Sequence, residues 1–470
     1  MENSLLAGIL KALTPAEQRR LKKWVRSPAH NQRQDCIDLL EYLLENDRLH
    51  KPHLLDKERL FQRLFPNEPY EDARLRQTIH FLTKTVEGFL IQEELYHSPI
   101  EPQILLLRSF RKRGLEKGFR KTYRQAQGLL KKFPFENETY LDYHYNLLLE
   151  YYIQYEQPKR TKEVRNLQEL SDGLDQKYIA QKLRQSCLMQ SHKNIIKSDY
   201  HAGLQQDVLD YVAQNQLYEV PVIGMYYYLL RAFEEGDNEH WFQKILHEID
   251  LHSSLFPKEE ITDVYKLTLN YCIRRVNNNP QKYLPISFDL YKRGLRDDIF
   301  VEEGQISPFT FNNIFRSALL LNKLDWAEDF IDRYATFLRE DHRDAIVHYS
   351  KARVYYEKKQ YKDSMRLLVQ SNFDDINLQL SVKVLLAKIY YELDEHDALE
   401  SLLESLKVFL RRKEILGYHR TIFQHFTRFT KKLVRINPYD ASQVRQLKAE
   451  IENAPPFGER SWLLDQVNDL

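Results

Sequence analysis

YSKARVYYEKKQYKDSM, residues 349–365, alternates tyrosine with lysine and arginine, and such a mixture suits two different uses of the rings. Exposed among the charges, they would stack on nucleic-acid bases. Buried at helical spacing, they would pack on one another. The spacing decides between them. Ala352 and the pair Tyr355–Tyr356 return 35 residues later as Ala387 and Tyr390–Tyr391. A second set, Ala327, Ser364 and Ala398, recurs at intervals of 37 and 34 residues, with Leu324 and Tyr361 just ahead of the first two. The segments 311–334, 348–368 and 382–403 therefore each read as two helices joined by a tight turn. Small residues at a crossing let two helices approach, and large rings fill the space beside them. Tyr355 and Tyr390 are accordingly expected between helices.

Composition points the same way. Among 470 residues there are only 13 Gly and 17 Pro, with 43% hydrophobic content, which leaves few turn residues for an all-β fold and ample material for folded helices. The expected class is all-α. Less regular helix pairs extend the pattern at 222–249 and 264–295, and a helix over about 417–436 continues it. NAPPFG at 453–458 interrupts it, and Trp462 with Leu463 marks a final capping helix. At the other end, TPAE (14–17) supplies a threonine N-cap, a proline at the first helical position and a glutamate at the third. That helix should stop before Pro28, and Asn31 with Gln34 should open the next. Shorter and longer helices are expected over 57–65 and 72–96, and SPIEP (98–102) marks a boundary. The plan is an N-terminal helical domain (1–97), a repeat array (98–457) and a C-terminal capping helix (458–470).

Over about 308–411 the chain resembles tetratricopeptide repeats, whose first helix carries a small residue followed by paired aromatics and whose second carries another small residue after an aromatic. Ala352, Tyr355, Tyr356, Tyr361 and Ser364 match that pattern. The family's usual glycine near the first small residue and the terminal proline of each repeat are absent, which marks a divergent form. The resemblance implies an α-α superhelix with the first helices lining a concave groove. WVRSP with Asn31, and LFQRLFPNEPYEDARLR (60–76), are also similar to the front end of uncharacterised bacterial helical proteins, a likeness that implies no activity.

Several function classes are disfavoured. Cys36, Cys187 and Cys272 lie far apart without a CxxC pair, so neither a disulfide framework nor a zinc site is expected, and a reducing, cytoplasmic setting is. The first residues lack the charge and cleavage pattern of a signal peptide, and no stretch approaches the roughly 20 apolar residues of a membrane span. Phosphate-cradling glycine loops and the nucleophile elbow are missing. HEIDLH (247–252) sets two histidines five apart, about 140° out of phase on a helix, whereas zinc-protease histidines stand four apart. His240 and His247 share a face but lie about 10 Å apart, too far for one ion. No catalytic residue, cofactor or metal is expected, and the chain reads as a non-enzyme.

The remaining signal is charge. The net charge is +1, but basic and acidic residues fall in bands. Between 108 and 132, ten Lys or Arg residues accompany one acid, Glu116. On the helix after Gly114, Lys117, Arg120, Lys121, Arg124 and Lys131 share an arc opposite Leu115, Phe119, Tyr123, Ala126, Leu130 and Phe133. This basic ridge is a solvated face, a contact for a phosphate-rich partner, or a contact for an acidic protein. A second basic segment, 407–435, places Arg420, Arg428, Lys431 and Arg435 opposite apolar residues of their helix.

In the tetratricopeptide family, ligands meet first-helix residues around the small residue. By that resemblance Arg316, Arg353 and Lys388 form a ladder of cations in one register, accompanied by Asn312, Tyr349, Tyr356 and Tyr391. Tyr349 and Val384 replace polar positions of the chaperone-binding members, so that particular ligand is not implied. The ladder either receives an acidic peptide, charge-assisted by arginine and flanked by rings, or pairs with acids of neighbouring helices. The expected function is a scaffold or adaptor that offers the groove to an acidic protein or peptide partner. The alternative is a nucleic-acid-binding helical-repeat protein that uses its two basic segments.

Overall fold

A computed structural model describes residues 1–155, 166–196, 200–236, 238–276, 279–370, 375–412, 417–455 and 457–470. The chain is all-α: no strand occurs among the described residues, and one isolated bridge joins Glu302 to Gln305. The residues group into two compact units, Met1–Ser186 with His201–Leu230 and Leu246–Phe256, and Cys187–Tyr200 with Arg231–Ile245 and Pro257–Leu470.

In the first unit, α1 (Leu5–Ala12), α2 (Pro15–Arg26), α3 (Gln34–Leu44), α4 (Lys57–Leu64) and α5 (Asp72–Leu95) enclose a core that includes Leu10, Leu21, Leu39, Phe61 and Leu82. The α2 start is a capping box. Thr14 Oγ1 accepts from the Glu17 amide at 3.3 Å, while Glu17 Oε2 accepts from the Thr14 amide at 2.7 Å, so two otherwise orphaned donors are satisfied together. Asn31 does not cap α3. Its amide donates to the carbonyls of Val25 and Arg33, both at 2.9 Å, and thereby ties the end of α2 to the start of α3. A separate core follows between α6 (Glu101–Lys112), α7 (Glu116–Leu130) and α8 (Glu138–Tyr155), around Ile100, Leu107, Phe119 and Ala126. Of the helices that follow, α10 (Gln205–Gln214) lies in the first unit, and α9 (Leu167–Ile196), α11 (Pro221–Glu234) and α12 (Glu239–His252) have residues in both units.

The second unit carries α13 (Lys258–Val276), α14 (Pro280–Arg296), α15 (Pro308–Leu320), α16 (Leu324–Tyr334), α17 (Glu340–Glu357) and α18 (Tyr361–Gln370). It ends with α19 (Ile376–Glu392), α20 (His396–Arg412), α21 (Gly417–Arg435), α22 (Ala441–Asn453) and α23 (Arg460–Asn468). From α13 onward each helix packs on the next, and α15, α17, α19, α21 and α23 also pack on one another in series.

One turn recurs between paired helices. Asn322, Lys359 and Asp394 are left-handed, with φ of 53°, 58° and 59°, at intervals of 37 and 35 residues. In each case the following amide donates to the carbonyl five residues back: Lys323 to Ala318, Gln360 to Tyr355 and Glu395 to Tyr390, at 2.9, 2.8 and 2.9 Å. This is the Schellman arrangement, which satisfies the last carbonyls of the first helix and reverses the chain. It also ends α6, at Gly114, and α14, at Asp298.

The small residues lie where the helices cross. Ala327, Ala352, Ser364 and Ala387 are fully buried, and Ser364 Oγ donates to the Ala352 carbonyl at 2.8 Å. The rings sit differently from the spacing argument. Tyr355 and Tyr390 are half-buried, and Tyr356 is the buried member of its pair, at 7% exposure. No helix among the described residues is long and apolar enough to cross a membrane.

Candidate functional site

Of the cations on α15, α17 and α19, Lys388 meets a carboxylate. Lys388, on α19, is 6% exposed. Its Nζ lies 3.0 Å from Glu459 Oε2, with the Tyr356 and Trp462 ring centroids 4.8 and 5.5 Å away. A buried ammonium is tolerated only when paired, and the two ring faces add a further attraction. Glu459 is the residue immediately before α23. Burial pushes its carboxyl upward, but Lys388, Arg353 and Arg316 outweigh that effect and hold it below the usual carboxylate range.

The three cations are not equally satisfied. Lys388 has its ion pair. Arg353, on α17, reaches Glu357 only at 3.8 Å, and its Nε is buried without a partner. Burial pulls the Arg353 guanidinium downward, yet Tyr349 and Glu459 more than offset this and raise it. Arg316, on α15, is exposed and makes no ion pair among the described residues. Asn312, on α15, and Tyr349, on α17, are half-buried.

A second carboxylate anchors the same C-terminal segment. Glu392 accepts from Trp462 Nε1 at 2.9 Å and from the hydroxyls of Tyr356 and Tyr361. Burial first, and then the bond to Glu392, push the Tyr356 hydroxyl upward, so it remains a proton donor. Trp462 meets Tyr391 edge-on, with centroids 5.5 Å apart. Phe457 stacks on His425 and on Phe429, each at 5.8 Å. Burial, helped by Arg428 and Arg460, depresses His425 and favours the neutral ring in that stack. The segment Phe457–Trp462 is therefore held by an apolar contact, an ion pair and an indole hydrogen bond.

The basic segments differ from each other. Arg108 and Arg111 turn inward and hold the buried carboxylate of Glu150, at 2.9 and 2.8 Å. On α7, Lys117, Arg120, Lys121 and Arg124 are exposed, as is Lys131 just beyond it. Arg120 pairs with Glu116; the other four have no ion pair among the described residues. On α21, by contrast, Arg428 and Lys432 pair with Glu450, Lys431 with Glu404 and Arg435 with Glu400. Lys413 lies outside the described residues.

The chemistry-bearing residues elsewhere are dispersed. His247 is exposed, and His252 Nε2 lies 3.6 Å from Glu248 on the same helix. Among the described residues no three His, Cys, Asp or Glu side chains are placed to hold a metal ion. The three cysteines are buried, and none forms a disulfide among the described residues. Burial pushes the Cys36 thiol up to about 11 and Cys272 to about 12, and raises Cys187 as well; such thiols stay protonated at neutral pH. No family model matches the chain, and no curated protein matches it.

Spacing arguments pass over Glu392, Phe457 and Glu459 as site residues. Glu459 is 71 residues from Lys388, and Trp462 is 70 from Glu392, so no local period connects them. The signal present in the sequence is a cluster of aromatic and acidic residues, PFGERSW (456–462), after a proline break.

Proposed function

We propose that this chain is a non-catalytic interaction scaffold. In this reading it is a tetratricopeptide-like helical-repeat array whose row of first helices receives an acidic segment of a protein partner. Asn312, Arg316, Tyr349, Arg353, Tyr356, Lys388 and Tyr391 form the receiving groove. The recurrent left-handed turns, the buried small residues and the packing of alternate helices support the repeat architecture. The observation that carries the function is the pairing of buried Lys388 with Glu459, beside Arg353 Nε, which has no partner, and Arg316, which has no ion pair. Cations in one register, of which only Lys388 holds Glu459, have capacity for another carboxylate. Three widely spaced, buried cysteines, with no disulfide among the described residues, support a cytoplasmic setting.

A second reading rests on α7. Lys117, Lys121, Arg124 and Lys131 stand in solvent without ion pairs among the described residues, as a phosphate contact would require. The α21 segment supports it less, because four of its cations are already paired with acids of neighbouring helices. Capture from native lysate separates the two readings. With the groove reading, full-length bait that carries Arg316→Glu and Arg353→Glu loses wild-type partners, and nuclease leaves those partners on the wild type. Retention of every partner by a folded variant overturns the groove. Partners released by nuclease favour α7 instead.

A further inference from the structure

The segment that precedes and opens α23 meets the row with the chemistry that the row is proposed to recognise. Glu459 pairs with Lys388 of α19 at 3.0 Å. Trp462, three residues on, places its indole N–H on Glu392 and its ring against Tyr391 and Lys388. We propose that Phe457–Trp462 is an internal occupant of the groove. We propose also that the external partner carries the same pattern, an acidic side chain with tryptophan or phenylalanine three residues later, and takes the places of Glu459 and Trp462. This inference rests on the reading above that the row receives an acidic segment.

The arrangement explains how exchange is favourable. A tethered segment competes at an effective concentration of the order of millimolar, so an external segment must make contacts that the internal one lacks. Those contacts exist. Glu459 is paired with Lys388 alone, Arg353 Nε has no partner, and Arg316 has no ion pair among the described residues. A partner with a second acidic residue ahead of the first would engage both arginines as well as Lys388. That difference in contacts is what shifts the equilibrium from the internal to the external segment.

The test uses the full chain and a fluorescein-labelled peptide copy of residues 454–466, APPFGERSWLLDQ. Wild type binds it weakly by anisotropy. Glu459→Gln, nearly isosteric, and Trp462→Phe, which keeps a ring but removes the donor to Glu392, each loosen the internal copy and tighten peptide binding about ten-fold or more. Adding Arg353→Glu to either variant abolishes that binding. In the wild type, saturating peptide also speeds amide exchange across Phe457–Asn468, a readout that needs no variant. Equal binding by wild type and variants, still lost with Arg353→Glu, overturns the internal occupant while the groove stands. The same holds if exchange across Phe457–Asn468 is unchanged at saturation. No binding by any of these proteins overturns both.

Discussion

Lys121 on α7 and Lys388 on α19 are the same side chain in opposite circumstances. Lys121 is exposed on a helix face with no ion pair among the described residues. Lys388 is 6% exposed, paired with Glu459 and set between two rings. In water an ion pair contributes about 0–1 kcal/mol, because solvent already stabilises both charges. Away from water, removing one partner leaves the other uncompensated and costs about 3–5 kcal/mol. Cations on an exposed face are therefore free for any partner but contribute little to the fold. In the row, Lys388 is committed to shape, whereas Arg353 Nε has no partner and Arg316 makes no ion pair among the described residues.

The largest asymmetry is expected at the rings around Lys388. Tyr356→Ala removes a buried ring and its bond to Glu392 and should cost about 3–5 kcal/mol in urea unfolding, whereas half-buried Tyr355→Ala should cost about 1–3. Equal costs would mean that Tyr356 is not the core ring of the pair. Tyr356→Phe isolates the hydroxyl and should cost about 1–2 kcal/mol.

Acid provides a smaller effect with a definite sign. The folded-state pKa of Glu459 is lowered. Its stabilisation is therefore fully present above the unfolded value of about 4.3 and is lost as pH falls through the lower folded value. The stability gap between wild type and Glu459→Gln should hold from neutral pH down to the usual carboxylate range and close below it. A gap that grows on acidification would contradict the assigned pairing. Smallest of all, Lys121→Glu should leave the urea midpoint unchanged. A clear loss would show that α7 carries structural contacts as the row does.

What could be read along the chain was local. Thr14, Pro15 and Glu17 specify the start of α2 within four residues, and the alanines and serine of the 311–403 stretch specify the crossings because their period repeats the helix pair. The turns were concealed by residue type. Asn322, Lys359 and Asp394 adopt φ values that favour glycine, and in them hydrogen bonds to Ala318, Tyr355 and Tyr390 hold the turn without it. The choice between Tyr355 and Tyr356 turns on a rotation of one residue about α17, which an alternation of rings and charges does not fix. The site was legible by half. The register of Arg316, Arg353 and Lys388 can be read along the chain, but the carboxylate of Lys388 comes from Glu459, 71 residues on, and only the folded chain brings it there.

The most direct test of this account is a double-mutant cycle between Lys388 and Glu459, with Lys388→Met, Glu459→Gln and the pair compared by urea unfolding at neutral pH. Each single change should cost about 3–5 kcal/mol and the double variant should recover part of the loss, for a coupling of about 1.5–3 kcal/mol. Single costs that simply add, within about 0.5 kcal/mol, would mean that Glu459 does not sit on Lys388 and that the C-terminal segment does not occupy the row.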